Sequence, residues 1–227
     1  MSTISQKIKA VVDLGLAPSL KREGFRRKGT NFSKRDGDLL QIVNVQSSQH
    51  NSALIPYLDE GRFTLNIGVH FTSVAKVLHG TDPMPADPKE HFCLLRRRVG
   101  MLMPAEADHW WTVTSRTNIE DLAAELKSAW HMYISPWLAK VGTVSGIARE
   151  IEEHPNAIGG SLATAAAAFI VIGQPEEASR LVNRQLEDLR AQLATCHPAN
   201  TALLTGYIAE LRRWASAQSL PGLKESE

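Results

Sequence analysis

The stretch RFTLNIGVHF, residues 62–71, restricts the fold of this chain more than any other. Phe63, Leu65, Ile67, Val69 and Phe71 alternate with Thr64, Asn66, Gly68 and His70, and a period of two places the two sets on opposite faces of a β-strand. The apolar face has to be covered. The polar face raises the question of function, because amides, a glycine and an imidazole in line either face water, as one side of an antiparallel sheet commonly does, or hold a ligand.

The residues before this strand supply its neighbours. FRRKGTNFSKRDGDLLQIVNV contains two hairpin signals, Gly29-Thr30 with glycine first and Asp36-Gly37 for a turn with positive φ at both central residues, so three antiparallel strands are expected. In the third, Asn44, Gln46 and Ser48 share one parity. If it pairs in register with 62–71, a polar patch crosses adjacent strands. The loop SQHNSALIPYLDEG between them is longer than a tight hairpin and borders these amides. At the start of the chain, Thr3 and Gln6 form a capping box before Ile4, Ile8, Val11 and Val12 at helical spacing; Pro18 kinks or restarts that helix and Gly24 ends it.

Downstream, Asp87-Pro88-Lys89-Glu90 reads as a helix start, with a helix from Pro88 to about Val99. HWWTV is a fifth strand. Thr117 and Glu120 cap a further helix, whose stripe Ile119, Leu122, Ala123, Leu126, Trp130, Tyr133 and Trp137 should pack on the odd-numbered face of 62–71. After Lys140 the chain turns into alanine-rich helices, and KVGTVSG is the boundary. LATAAAAFIVIGQPEEASRLVNRQLEDL reads as helix, Gly-Gln-Pro turn, helix and resembles a single tetratricopeptide hairpin; no second copy is visible, so it is a hairpin and not an array. The expectation is an α+β domain, residues 1–140, with a four- to five-stranded antiparallel sheet backed by helices, followed by an all-α helical hairpin domain, residues 141–227.

Composition narrows function by exclusion. Apolar residues form 43% and charged residues 22% of the chain, with a formal net charge of +1, so neither disorder nor a whole-chain attraction to polyanions is indicated. Locally, nine bases stand against Asp13 and Glu23 up to Arg35. That excess in 21–35 is the minimum footprint for nucleic acid, and it equally suits a charged hairpin edge that discourages aggregation. Cys93 and Cys196 fit no disulfide framework or Cys-x-x-Cys motif, which points to a reducing cytoplasm. MSTISQKIKA lacks the apolar stretch of a signal peptide, and the most apolar run, 162–172, is about half of the roughly 20 residues a membrane helix needs, so no membrane partner is expected.

The order LKREGFRRKGTNFSKRDGDLLQIVNVQ, FTLNIGVHF, CLLRRRVG and WWTV before a capped helix resembles the bacterial domain-of-unknown-function family 4304. The residues carrying the likeness are Gly24 and Phe25, Asn44 and Gln46, Phe63 with Asn66 and Gly68, Arg96 and Arg98 on a helix, and Trp110 with Trp111. The match spans about residues 8–137. The resemblance implies no activity.

Eight histidines occur, yet no His-Glu-x-x-His, Gly-x-Ser-x-Gly or phosphate-cradling glycine loop does, so neither metal nor cofactor is expected and no catalytic residue is assigned. Cys93 belongs in the core. Candidate ligand-binding residues are Asn44, Gln46, Asn66 and His70 on the polar sheet face, Arg96 and Arg98 as an anion clamp if the helix from Pro88 borders that face, and Trp111 as a cover. On such a helix Arg97 points elsewhere and is solvated. The expected function is a non-enzymatic binding or protein-interaction module for a protein partner or small polar ligand; the alternatives are an enzyme using Asn66, His70, Gln46 and Arg96, or nucleic-acid binding through 21–35.

Overall fold

A computed structural model of the chain describes residues 3–48, 60–155 and 160–223. The chain is α+β, and it divides into two compact units, Met1–His70 with Met84–Lys140, and Phe71–Pro83 with Val141–Glu227. The segment 71–83 therefore belongs with the C-terminal helices, although its sequence position lies inside residues 1–140. The polar loop after Gln46 lies outside the described residues over 49–59.

The first unit is built on a six-stranded antiparallel sheet of β1 (Arg26–Lys28), β2 (Asn31–Asp36), β3 (Leu39–Ser47), β4 (Glu60–Phe71), β5 (Leu95–Arg98) and β6 (Trp111–Thr114). Its hairpins follow from glycine. Lys28 pairs with Asn31 around Gly29-Thr30, and Asp36 pairs with Leu39, so the second turn is Gly37-Asp38 and not Asp36-Gly37. Both turns are thus glycine-first, with φ of +61° at Gly29 and +53° at Gly37.

β4 is the central strand. β3 pairs with one of its edges; along the other, β6 pairs with Glu60–Phe63 and β5 with Asn66–Val69. β5 and β6 therefore act as one interrupted strand, and residues 99–110 leave the sheet between them. This corrects the helix expected from Pro88 to about Val99: Glu90–Phe92 form a 3-10 turn, Leu95–Arg98 are extended, and Val99 opens a second 3-10 turn, Val99–Leu102. The local start signal yields to a tertiary demand, since the half of β4's edge from Asn66 to Val69 otherwise keeps its backbone groups unpaired. The strand also suits the sequence, with Leu95 and Arg97 buried on one face and Arg96 and Arg98 half-buried on the other.

The odd-numbered face of β4 is the main core. Phe63, Leu65, Ile67 and Val69 are fully buried, Phe63 stacks on Trp111 with ring centroids 5.3 Å apart, and the Trp111 indole donates to Glu125 Oε1 at 2.8 Å. Glu125 lies on α4 (Ile119–Ala129), which with α1 (Ile4–Gly15) packs on this side. The capping box at Thr3 and Gln6 is formed; at α4 the cap is Asn118, which accepts from the Glu120 and Asp121 amides, while Thr117 accepts from Thr114 N. A five-residue π-turn, Trp130–Ile134, joins α4 to α5 (Ser135–Lys140), and Trp130 packs edge-on against Phe25 after α2 (Ala17–Arg22). From α5, the Leu138 carbonyl accepts from the buried Gln41 amide at 3.1 Å.

The even-numbered face of β4 is also closed. Thr64, Asn66, Gly68 and His70 are all buried, and Cys93 packs with Leu40 and Ile42 of β3 and with Met84 in a second, smaller core. Gly68 is what lets this cover approach, because a Cβ there would stand 2.6 Å from Cys93 Sγ and 2.9 Å from Cys93 Cβ. The wet-face expectation fails here.

In the second unit, α7 (Leu162–Val171) is surrounded by α3 (Thr72–His79), α6 (Val144–Glu153) and α8 (Pro175–Thr195). Its buried run Ala165–Ala168 explains the alanine-rich sequence: small side chains let several helices approach one axis, and a helix apolar all round belongs at a centre. α7 and α8 form the expected helical hairpin, turning at Gly173 with φ +73°. α3 belongs to this unit because Val74 and Ala75 are fully buried, and α9 (Thr201–Ala217) ties to it through Trp214 Nε1, which donates to the Val77 carbonyl at 3.0 Å.

Gly68→Ala is expected to destabilise the protein by about 1–3 kcal/mol through overpacking, measured by urea unfolding. Because the clash is with Cys93, adding Cys93→Ala should recover part of that loss, so the double variant is more stable than the sum of the single effects predicts.

Candidate functional site

The paired positions Asn66–Arg98 and Gly68–Arg96 put both arginines on the even-numbered face of the sheet. Two residues of the expected set then converge on a third. Asn66 Nδ2 donates to Gln46 Oε1 at 2.7 Å, Arg98 Nε donates to Asn66 Oδ1 at 3.3 Å, and Arg98 Nη2 donates to Gln46 Oε1 at 3.4 Å. Gln46, Asn66 and Arg98 thus form a continuous hydrogen-bonded row across β3, β4 and β5. Asn66 is 8% exposed, so these bonds replace water for its amide.

The row ends on Asp108, which the sequence reading did not single out, and on Trp110, which entered that reading only as half of the Trp110-Trp111 pair. Arg98 Nη1 donates to both oxygens of Asp108 at 2.9 Å each, and Trp110 Nε1 donates to Asp108 Oδ2 at 2.8 Å. The guanidinium carbon lies 5.3 Å from the centroid of the Trp110 ring, within cation–π range. Asp108 and Trp110 arrive here because residues 99–110 leave and rejoin the sheet beside Arg98. Gly100 permits that closure, since a Cβ there would collide with the Ala107 carbonyl and stand 2.6 Å from His109 N. The signal was in the sequence only for a reader who took 95–98 as a strand.

The other candidates lie elsewhere. Asn44 donates to Asn31 Oδ1 at 2.9 Å, across the β2–β3 pair. His70 is fully buried, where an outside ligand does not reach it. Arg96 stands 3.9 Å from Glu90 Oε1, and its Nε is enclosed without a hydrogen-bond acceptor. Trp111 is corrected outright: its indole is 2% exposed in the main core, and Trp110 is the indole beside Arg98. Arg97, expected to be solvated, faces the opposite side at 8% exposure, opposite Ile67, where its aliphatic stem completes the core face.

Partial burial would raise the Asp108 carboxyl, but hydrogen bonds from Arg98 and then Trp110 outweigh it and hold the group below its ordinary 3.8. The Arg98 side chain is 30% exposed and that of Asp108 52%, so one edge of the row reaches solvent. Cys93, the nearby thiol, is pushed up to about 12 by burial first and by the Glu90 carboxylate second, with Arg96 opposing; it is a packed thiol and no nucleophile. Elsewhere, in the second unit, Glu150, Glu153 and His154 fall at helical spacing i, i+3 and i+4 with ligand atoms within 4.8 Å of one another. They are the group among the described residues that could hold a cation, and the sequence reading had not singled them out.

The chain belongs to the domain-of-unknown-function family DUF4304, whose model matches residues 16–140. No curated protein and no solved structure matches it. The family match covers the sheet, the Gln46–Asn66–Arg98 row and Asp108, and it ends where the second unit resumes.

Asn66→Ala is expected to cost about 1–3 kcal/mol in urea melts, because it removes a donor from Gln46 and an acceptor from Arg98. Gln46→Ala should cost less, since Gln46 is only half-buried. The stability that Asp108 contributes has a defined pH window: a depressed carboxyl stabilises above its unfolded value, near 3.8, and that contribution disappears as pH falls through the still lower folded value. The difference in stability between the wild type and Asp108→Asn should therefore be present at pH 7 and vanish in strong acid.

Proposed function

We propose that the chain is a non-enzymatic binding module of the bacterial cytoplasm, and that the exposed end of the row takes a carboxylate from a protein partner. One observation carries this reading. Arg98 is backed from behind by Asn66 and Gln46, while its outward nitrogen holds a half-exposed acid that stands where a partner's acid would bind. A guanidinium fork oriented by fixed amides matches a carboxylate in two hydrogen bonds, and Trp110 offers an apolar plane beside it. Amides and a permanently charged guanidinium orient and attract; they do not move protons at neutral pH. Both cysteines are free, which suits a reducing compartment, and no described helix is long and apolar enough to cross a membrane.

The test uses a library of fluorescent octapeptides made twice, with a free C-terminal carboxylate and with a C-terminal amide. Peptides that bind are expected to lose binding on amidation, and Arg98→Ala should weaken them by about tenfold or more. Asp108→Asn separates recognition from mere structure, because removing an internal competitor should tighten peptide binding while destabilising the fold. Equal binding of acid and amide peptides, or weakening by both variants alike, would refute the reading.

A further inference from the structure

The outer part of the α8–α9 hairpin has a composition that a freely solvated surface does not need. Across residues 187–210 no side chain is buried, and within them residues 191–209 contain no Asp, Glu, Lys or Arg, although charged residues form 22% of the chain. Surfaces that stay in water are usually studded with charge, whereas the centre of an interface is depleted of it. In place of charge this stretch offers apolar side chains. Leu203 and Tyr207, one turn apart on α9, are 56% and 49% exposed.

Gly206 supplies a second, independent observation. Glycine inside a helix destabilises it relative to alanine, so it needs a reason to be there. The usual reasons fail at this position. Gly206 lies in the middle of α9, is not among the glycines with positive φ, and has nothing within 4 Å of a Cβ built on it. The backbone is therefore bare toward the outside of the helix, beside the two exposed apolar residues. A bare backbone lets another helix approach closely, since the side chains at a crossing set the distance between helix axes.

We propose that this face pairs two copies of the chain, α9 running antiparallel to α9 about a two-fold axis at the level of Thr205. That axis sets Leu203 of each copy opposite Tyr207 of the other, so the exposed apolar pair is covered twice, and it brings Gly206 of both copies to the crossing. The chemistry selects a second copy. An uncharged patch has nothing with which to attract an ion, and an equally uncharged patch covers it without leaving an ion unpaired. The formal net charge of +1 means that two copies scarcely repel each other. The pairing uses no residue of the Arg98 row.

Sedimentation velocity of the full-length chain tests this. The mass is expected to rise from one chain to two between about 1 and 200 µM, the weak end of the range for specific contacts. Because the patch carries no charge, the association should not weaken as salt is raised from about 0.05 to 0.5 M. Leu203→Glu and Tyr207→Lys, both at exposed positions, should each weaken pairing at least about tenfold while leaving the melting temperature at low concentration unchanged. Mixing the two variants should restore pairing, because the two introduced charges then face each other; another register would not give this rescue. Gly206→Leu should raise the melting temperature of the single chain by improving the helix, and yet weaken the dimer. A glycine with only a structural role would not split in this way. The inference is overturned if the chain stays single at the top of that concentration range, if Leu203→Glu leaves the dimer intact, or if the mixed variants fail to pair.

Discussion

Burying both faces of β4 obliges its polar residues to find partners inside the protein, since water cannot reach them and an unpaired buried amide is costly. Asn66 answers this with Gln46 on one neighbouring strand and Arg98 on the other. The guanidinium so recruited carries charge in turn, and Asp108 neutralises it where the sheet meets solvent. What began as the packing problem of one strand therefore ends as a charged, exposed pair. The same closure demands glycine at 68, where the cover carrying Cys93 comes too near for any side chain.

Much of this was legible before any coordinates. Period-two alternation over 62–71 identified the strand, and the parity of Gln46 and of Asn66 allowed a polar patch across adjacent strands if the two paired in register, which is where their hydrogen bond forms. Of the stripe from Ile119 to Trp137, Ala123, Leu126, Trp130 and Trp137 are buried, while Ile119, Leu122 and Tyr133 are only half-buried. Two readings failed for one reason, which is that local signals describe a segment and not its neighbours. Asp87-Pro88-Lys89-Glu90 has the chemistry of a helix start, yet β4 offered an open edge with four backbone positions to pair, and Leu95–Arg98 took it. Once those residues are a strand, Arg97 turns into the core and Arg96 and Arg98 turn to the polar face. The choice between Trp110 and Trp111 was likewise set by register, as Trp111 pairs with Phe63 and must share its buried face. That 71–83 joins the C-terminal helices depends on α7 covering Val74 and Ala75, which no spacing within α3 reveals.

The arrangement would hold the proposed site on rigid elements. Arg98 lies at the end of a paired strand, with its rotamer fixed by two amides from rigid neighbours, while Asp108 and Trp110 come from the segment that rejoins the sheet. Precision comes from the strands and exchangeability from the connecting segment. Asp108 keeps the guanidinium charge compensated, and on the proposed reading a partner's carboxylate would have to compete with it.

The account rests on the closure of β4's polar face by the segment carrying Cys93, and the reactivity of that thiol measures it directly. In full-length protein with Cys196→Ser, Cys93 should react with Ellman's reagent only as fast as the whole protein unfolds, with the denaturant dependence of global unfolding. Labelling under native conditions at a rate within about tenfold of that of Cys196 in the Cys93→Ser protein would show the face to be open, and the buried row from Gln46 to Arg98 would lose its physical basis.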